Sequence, residues 1–473
     1  MNTFKLIHNL NFDVTRSVND MAALFAYSLA AESDNILIVN FKNGGCQAKF
    51  VADEENWDSS FIPCESDVSG EISRCIKLAV LEVLTLKTGS NPDLPWGILT
   101  GVRPGKLAHK LLDSGMRAAD LPLYLQQRYK LPMQQARLLT DICLRQESIV
   151  SDKKAVGIYI GIPYCPSKCT YCSFPSGIVP EDLETQQKFL NFIEQDIDNV
   201  VKLISMYSLN VTSLYIGGGT PTSLQEQVFD RLMHMTAEKL LLPSVKEFTV
   251  EAGRPDCFSM GKLRSMENAG VTRISVNPQT MHDKTLQLIG RRHTVADFLR
   301  AYEMVQQSRI PVINTDLIIG LPGETEADIE FSLSEITKLK PQNLTVHTLT
   351  LKKGAALFGS KLSLNACQAE NMLRLAAAAA DEIGMRPYYL YRQHYMLGHL
   401  ANIGYALPET ESIYNIQMME ERHTVIGIGP SSATKVPLQD GHHLNKLNMP
   451  KNIVTYTENL EQLAAKRQRL FEK

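Results

Sequence analysis

The sequence predicts an α/β protein centred on a partial, six-stranded (β/α) barrel that is open on one side. From Val156 onward, short apolar strand candidates alternate with longer helical stretches, the mark of parallel βα units. Six such units exceed a simple flavodoxin-like sheet and fall short of a closed eight-stranded barrel. Composition agrees. The 473 residues are 44% apolar and 21% charged, enough to bury sizeable cores in more than one domain and to exclude disorder as the main state.

The elements follow in order. Residues 1–150 mix a strand-like run at Asn35–Asn40 with helical runs at Ala22–Ala31 and Glu71–Leu86, and read as a small α+β domain. The Gly- and Pro-rich stretch Trp96–Gly105 reads as a turn leading into a helix, and the charged stretch Gln146–Lys154 as a linker. Residues 151–360 form the barrel. Its strands are predicted at Val156–Gly161, Ser213–Ile216, Glu247–Glu251, Thr272–Val276, Val312–Ile318 and Asn343–Leu349. Helices are predicted around Glu181–Ser205, Leu224–Leu242, Cys257–Ala269, Val295–Ser308 and Glu326–Leu339. Residues 361–473 read as a separate C-terminal region that covers the substrate, beginning with a helix at Asn365–Ile383 that contains the alanine run Ala376–Ala380.

Forty-eight Lys and Arg against 51 Asp and Glu give a formal charge of -3, so the basic excess used for phosphate-backbone binding is missing and no nucleic-acid partner is expected. No apolar run approaches the roughly 18 to 20 residues that span a bilayer, and the first residues lack the basic end and apolar stretch of a signal peptide. A cytoplasmic protein with no integral membrane segment is expected. Nine cysteines, an odd number, argue against a disulfide framework. Cys46, Cys64, Cys75, Cys143, Cys257 and Cys367 are scattered and read as ordinary buried small residues.

The other three, Cys165, Cys169 and Cys172, form a CxxxCxxC arrangement in the loop after the first barrel strand. Three thiolates in one short loop can hold three irons of a [4Fe-4S] cubane and leave the fourth iron open to a ligand. A zinc site and chance clustering are the alternatives; zinc usually wants a fourth ligand, and none is obvious nearby. Later strand ends add polar groups. Gly217-Gly-Gly-Thr220-Pro lets backbone approach a ligand and adds a hydroxyl. Glu251 ends the third strand, Gln279 follows the fourth, and Asp316 lies in the fifth before Gly320-Leu-Pro-Gly323. Each alone reads as a cap or a buried hydrogen-bonding group. Together at one end of successive strands they read as a polar rim for a ligand.

The cysteine loop resembles that of the radical S-adenosylmethionine (SAM) superfamily, and the glycine motif resembles the one that holds the SAM amino group there. Tyr159-Ile-Gly-Ile-Pro-Tyr-Cys165, Gly217-Gly-Gly-Thr-Pro-Thr222, Arg273-Ile-Ser-Val-Asn-Pro-Gln279, Leu288-Ile-Gly-Arg-Arg-His293 and Asn314-Thr-Asp316 resemble the oxygen-independent coproporphyrinogen III oxidase family. Trp96 to Pro104, Tyr388 to Arg392, Asn402 to Tyr405, Tyr414-Asn415 and Ile426 to Gly429 extend the likeness to its HemZ branch. The resemblance implies a [4Fe-4S] cluster on Cys165, Cys169 and Cys172. It also implies S-adenosyl-L-methionine contacts from Tyr159, Tyr171, Gly218, Gly219, Thr220, Glu251, Gln279, Arg291 and Asp316. SAM would yield a 5′-deoxyadenosyl radical that starts oxidative decarboxylation of coproporphyrinogen propionates to vinyl groups. A porphyrinogen or heme-type tetrapyrrole, and an electron donor such as flavodoxin or ferredoxin, are the implied partners. Lys352, Lys353 and Arg392 are candidates for the propionates.

One position departs from that pattern. The dehydrogenase branch carries a further cysteine two residues after the third ligand, where this chain has Phe174, and Cys-x-Phe also occurs in the heme chaperone branch. A heme-transferring chaperone, with His394, His399 or His423 as axial ligand, is therefore a second reading. The chaperone's His-Asn-x-x-Tyr-Trp motif is replaced here by Ser412-Ile-Tyr-Asn415. A radical heme methyltransferase or ring-opening enzyme is a third.

Overall fold

The structure is a computed structural model that describes residues 2–66, 69–101, 103–352, 354–358, 366–392, 396, 399–438 and 443–472. The chain divides into two compact units, Met1–Gly101 with Ser114–Thr140, and Val102–Asp113 with Asp141–Lys473.

The first unit opens with β1 (Asn2–His8), α1 (Thr15–Ala22), β2 (Tyr27–Leu29), β3 (Ile36–Lys42), β4 (Gly45–Ala52), β5 (Glu55–Asp58), β6 (Ile62–Pro63) and α2 (Ser69–Thr88). The sheet runs β2-β1-β3-β4-β5, with β6 also paired to β4. The β3–β4 hairpin turns at Asn43-Gly44, both with positive φ (52° and 73°), the backbone that Asn-Gly adopts most readily between twisted strands. Phe4, Leu37, Val39, Ala48 and Phe50 from the strands and Ile76, Val80 and Val83 from α2 are buried in one core. The helix expected at Ala22–Ala31 is not there. Ala26 takes the left-handed region (φ 59°), which ends a short 3-10 turn at Ala23–Phe25 and releases Tyr27–Leu29 to pair in parallel with β1.

Next come α3 (Gly105–Asp113), α4 (Leu121–Tyr129) and α5 (Met133–Val150). The expected linker at Gln146–Lys154 is helical as far as Val150. Its first residue is pinned: Gln146 is buried, donates to the carbonyl of Tyr388 at 2.9 Å, and bonds the His109 ring at 2.8 Å.

The second unit continues through β7 (Ala155–Ile162), β8 (Tyr164–Cys165), β9 (Gly177–Ile178), α6 (Leu183–Tyr207), β10 (Asn210–Gly218), α7 (Glu226–Leu240), β11 (Glu247–Glu251), α8 (Met260–Asn268), β12 (Arg273–Ser275), α9 (Asp283–Leu288), α10 (Val295–Gln306), β13 (Val312–Ile319), α11 (Glu326–Leu339) and β14 (Asn343–Thr348). All six predicted strands are present, parallel and in sequential order, from β7 through β10, β11, β12 and β13 to β14. Each is almost wholly buried, as strands flanked by crossover helices must be. The helices start where their caps say. Thr294 and Thr325 each close a capping box with an aspartate three residues on, at the heads of α10 and α11.

After α12 (Ala366–Glu382) come β15 (Arg386–Tyr391), β16 (Asn402–Ala406), α13 (Ile413–Glu420), β17 (Thr424–Ile428), β18 (Ala433–Pro437), β19 (Leu444–Asn448), α14 (Ile453–Glu458) and α15 (Leu460–Arg469). These residues do not stand apart from the barrel. β17 pairs in parallel with β7, β16 pairs antiparallel with β14, and the sheet becomes eleven-stranded in the order β15-β16-β14-β13-β12-β11-β10-β7-β17-β18-β19. Both edges of the six-strand core need covering, because an open edge exposes a row of unpaired backbone groups.

α6 is held to the C-terminal helices by a buried ion pair. Arg467, 1% exposed, donates to both carboxylate oxygens of Asp196, 0% exposed, at 2.8 and 3.1 Å, and the Tyr456 hydroxyl donates to the same carboxylate. Asp196→Ala leaves a buried guanidinium without its counterion, which costs about 3–5 kcal/mol. Urea unfolding should register a loss of that size, and an unchanged midpoint would show that the pair is dispensable.

Candidate functional site

β7 ends at Ile162, and the chain then forms the loop that carries the three cysteines. β8 and β9 pair across this loop, and Val179 N–H donates to the Cys165 carbonyl at 3.0 Å. Cys165, Cys169 and Cys172 line one cavity of about 140 Å³ with Tyr171, Gly219, Thr220, Glu251, Gln279 and Arg291. Of the twelve residues singled out from the sequence, nine therefore share this cavity. The other three lie elsewhere. Gly218 donates its N–H to Glu251 at 3.3 Å, Asp316 lines a neighbouring cavity, and Tyr159 packs against the stacked Tyr215 and Tyr414 rings at centroid distances of 6.0 and 5.8 Å.

The glycines are required sterically. A Cβ on Gly219 would lie 2.3 Å from the Tyr164 carbonyl oxygen and 3.0 Å from Cys165 Sγ. Gly218 has φ +113°, and a Cβ there would lie 2.8 Å from the Ile162 carbonyl oxygen. The Gly219 and Thr220 N–H groups donate to Ile162 and Tyr164 at 2.7 and 2.6 Å, fastening the end of β10 to the cysteine loop.

Two buried guanidiniums stand behind the thiols. Arg254 donates to Cys169 Sγ at 3.5 Å and to Ser167 Oγ at 2.9 Å, and is paired with Asp256 at 2.8 Å. Arg291 donates to the carbonyls of Gly253 and Asn277 at 2.8 and 3.2 Å and to the Tyr171 hydroxyl at 3.1 Å. Gln279 is non-glycine yet has φ 71°, and its Oε1 is buried with no hydrogen-bond partner. Its backbone makes the strain tolerable. Gln279 N–H donates to the Asp316 carbonyl at 3.1 Å, and its carbonyl accepts from Ile318 N–H at 2.9 Å.

Glu251 lines both this cavity and a second, of about 220 Å³, inside the barrel. Burial pushes its carboxyl up to about 7, against the opposing hydrogen bond from the Tyr215 hydroxyl at 2.5 Å. Asp316 is held by Asn277 and Asn314, which donate at 2.7 and 2.8 Å, and His347 Nε2 lies 3.7 Å away. Arg254, Asn277, Tyr215 and His347 were not expected from the sequence. Asn277 sits in the quoted Arg273–Gln279 string, two residues from Gln279, and an odd-even count along that strand end would have found it.

Phe174 N–H lies 3.4 Å from Cys172 Sγ. Lys352 is half-buried near enough to Cys172 to feel its charge. Arg392 is turned onto the carbonyls of Leu400 and His399, at 3.3 and 2.8 Å. Lys353 and His394 lie outside the described residues. His399 is exposed, and His423 is fully buried. Ser412 caps α13 by accepting from Asn415 N–H at 3.2 Å, and Asn415 Nδ2 donates to the Tyr388 hydroxyl at 3.2 Å.

The donor set fits an iron–sulfur cluster and a polar organic cofactor. Three thiols line one cavity, a glycine backbone lies beside them, and the unpartnered polar atoms Gln279 Oε1 and Arg291 Nε belong to the same wall. Among the described residues, no group of three or more His, Cys, Asp or Glu side chains closes on a single ion.

Residues 159–336 match the model of the radical SAM superfamily. A six-strand parallel core with a three-cysteine loop after its first strand is the architecture of that class, whose cofactors are a [4Fe-4S] cluster and SAM. The chain is 38% identical over 405 residues to the oxygen-independent coproporphyrinogen-III oxidase-like protein HemZ of Bacillus subtilis, covering 84% of this chain and 80% of that protein. It belongs to that HemZ family of the radical SAM superfamily. The heme chaperone HemW of Bacillus subtilis is 35% identical over 196 residues, 41% of this chain and 50% of that protein. In fold, the chain resembles the solved structure of coproporphyrinogen III oxidase (HemN) from Escherichia coli, a radical SAM enzyme. The TM-score is 0.53, at 19% identity over 68% of this chain and 73% of that one. No helix among the described residues is long and apolar enough to cross a membrane.

Gly219→Ala tests the close approach. A Cβ between Tyr164 and Cys165 displaces the loop, so iron content after anaerobic reconstitution should fall several-fold and stability by about 1–3 kcal/mol. Gly177→Ala, where a Cβ meets nothing within 4 Å, should change neither. Equal iron in both variants would remove the steric argument.

Proposed function

We propose that the protein is a radical SAM enzyme that decarboxylates the propionates of coproporphyrinogen III oxidatively to vinyl groups, in the cytoplasm, with an electron donor of the flavodoxin or ferredoxin kind. Cys165, Cys169 and Cys172 hold the cluster, and Gly218, Gly219, Thr220, Glu251, Gln279, Arg291 and Asp316 surround SAM, with Tyr171 braced on Arg291. When bound, the cluster and SAM supply a carbon-centred radical that removes a hydrogen atom from substrate. The chain's own part is positional and electrostatic. Arg254 and Arg291 offset the negative charge of the thiolates, Glu251 presents a carboxylate that can accept from an amino group, and the stacked tyrosines beneath keep the cavity closed to bulk water.

The observation that carries the enzyme reading over the chaperone reading is the use of Ser412–Asn415. Where a chaperone would present its histidine motif, these residues cap and tether α13. Phe174 and the HemW likeness support heme binding as the second reading.

Anaerobic reconstitution with coproporphyrinogen III, SAM and a reductant tests the proposal, with porphyrins and 5′-deoxyadenosine read by mass spectrometry. Protoporphyrinogen IX with consumption of SAM is expected. 5′-Deoxyadenosine without a porphyrin product defeats the dehydrogenase reading, and stoichiometric heme binding beside it establishes the second. Iron and sulfide should be about four each per chain, lost in Cys169→Ser and retained in Cys257→Ser and Cys367→Ser. Burial holds the Cys257 thiol up at about 11, so it stays protonated.

SAM affinity should depend on pH with a defined sign. Glu251 ionises at about 7, so SAM, a sulfonium cation, is held more tightly as pH rises from 6 to 8. Glu251→Gln should flatten that rise, and removing either carboxylate, Glu251 or Asp316, should cost about 1.5–3 kcal/mol, roughly ten- to a hundredfold in affinity. Calorimetry under nitrogen measures both. An unchanged affinity in both variants would make these carboxylates structural.

A further inference from the structure

The first unit brings together three cysteines that the sequence scatters. Cys46 lies on β4, directly opposite Ile62 of β6 in the strand register, and Cys64 follows β6 by one residue. Cys64 N–H donates to the Gly44 carbonyl at 2.8 Å, which fixes the chain beside the hairpin. Cys75, nearly two turns into α2, donates its thiol to the Pro63 carbonyl at 3.4 Å, one residue from Cys64. Cys46 Sγ lies 4.0 Å from the carbonyl of Ile72, one turn before Cys75 on α2, and Cys64 packs against the core that buries Cys46 and Cys75. Arg74 Nη2 lies 3.4 Å from the same sulfur. Cys46 and Cys75 are fully buried, while Cys64 is half-exposed and gives the group its opening to solvent.

We infer that Cys64 and Cys75 form a redox-active dithiol that exchanges with low-molecular-weight disulfides, with Cys46 as a buried hydrogen-bond donor that supports the Cys75 thiolate. The Cys64 thiolate attacks one sulfur of the external disulfide and expels one thiolate, leaving a mixed disulfide on Cys64. The Cys75 thiolate then attacks Cys64 Sγ and expels the second. Two electrons pass from the two cysteines to the external disulfide, and their two protons go to the two released thiols.

Solvent access sets this order, because Cys64 is the one sulfur of the three that is not fully buried, and electrostatics place the negative charge it draws on next to it. Hydrogen bonds from Cys46 and then Cys64, with the charge of Arg74, outweigh burial and bring Cys75 down to about 7. Burial and the bond to Cys75 push Cys64 up to about 12. The two sulfurs share one proton, so the dithiol carries one negative charge near neutrality, and the exposed sulfur can draw on it. Glu71 opposes this charge, but it is itself occupied by Arg74 at 2.7 Å and Arg128 at 2.6 Å, and Arg128 also reaches Glu65 at 2.6 Å. Tyr129 faces Arg74 and stays protonated, pushed up to about 12 by burial.

The test uses the full chain with its cluster in place, equilibrated anaerobically over a range of oxidised to reduced glutathione, then alkylated and mapped by mass spectrometry. A Cys64–Cys75 bridge is expected, with Cys46 alkylated throughout, and with the bridge abolished in Cys64→Ser, a half-exposed position that tolerates the change. In Cys46→Ala the bridge should persist while the alkylation rate of Cys64, the sulfur open to solvent, falls several-fold at pH 7. Free Cys64 and Cys75 at the most oxidising ratio would overturn the inference. So would a Cys46–Cys75 bridge, or zinc or copper bound stoichiometrically and lost in Cys64→Ser.

Discussion

The rim of the barrel depends on a strand end without side chains. β10 has to run flush against the loop that leaves β7, because Ile162 and Tyr164 supply the carbonyls that Gly219 and Thr220 bond. Any Cβ at Gly218 or Gly219 would occupy the space of those carbonyls, and one at Gly217 would lie 2.7 Å from the Glu251 carboxyl carbon. Three consecutive glycines therefore set three distances at once: loop to strand, strand to thiol, and strand to carboxylate. The conformational entropy that glycines cost on folding is the penalty for this approach.

Charge is sorted on that frame. The cysteine side of the cavity carries Arg254 and Arg291, and the strand-end side carries Glu251 with Asp316 beyond it. Each guanidinium is satisfied mainly by groups other than the two carboxylates: Asp256 and Ser167 for Arg254, backbone carbonyls and Tyr171 for Arg291. Glu251 and Asp316 are thereby left to face the cavities with hydroxyl and amide partners. A carboxylate neutralised by a buried arginine would have little left to offer a cation. Glu251, desolvated and bonded by Tyr215, keeps a carboxyl that ionises near neutrality.

What the sequence disclosed follows from the range of the forces involved. Parallel strands buried on both faces are continuous apolar runs, so β7, β11 and β13 were legible within a residue or two, as were α10 and α11 from the alternation of strand and helix patterns. The cysteine spacing is local, and local patterns survive in one dimension. The hairpin at Asn43-Gly44 is equally local, and its dipeptide is a strong turn signal. Arg254 and His347 were not legible, because their roles come from strands distant in sequence. Cys46, Cys64 and Cys75 are the sharpest case: a hairpin and a helix fold three unremarkable residues onto one another, and spacing alone carries no trace of it.

The last constraint concerns the other end of the barrel. Six parallel strands curl around an interior that water would fill unless something closes it, and α13 is placed to do so. Glu247, at the start of β11 and 4% exposed, accepts from the N–H groups of Ile413 and Tyr414 at 2.6 and 3.3 Å and from Ser412 Oγ at 3.0 Å. A buried carboxylate at a helix N-terminus satisfies orphan donors and the helix dipole together, so the cap is also the anchor. From there Tyr414 reaches up to stack on Tyr215 at 4.3 Å, and Tyr215 bonds Glu251. The C-terminal residues thus act on the upper cavity through the barrel axis: the cap on Glu247 fixes α13, α13 fixes Tyr414, and the tyrosine stack sets the position of the one carboxylate that both cavities share.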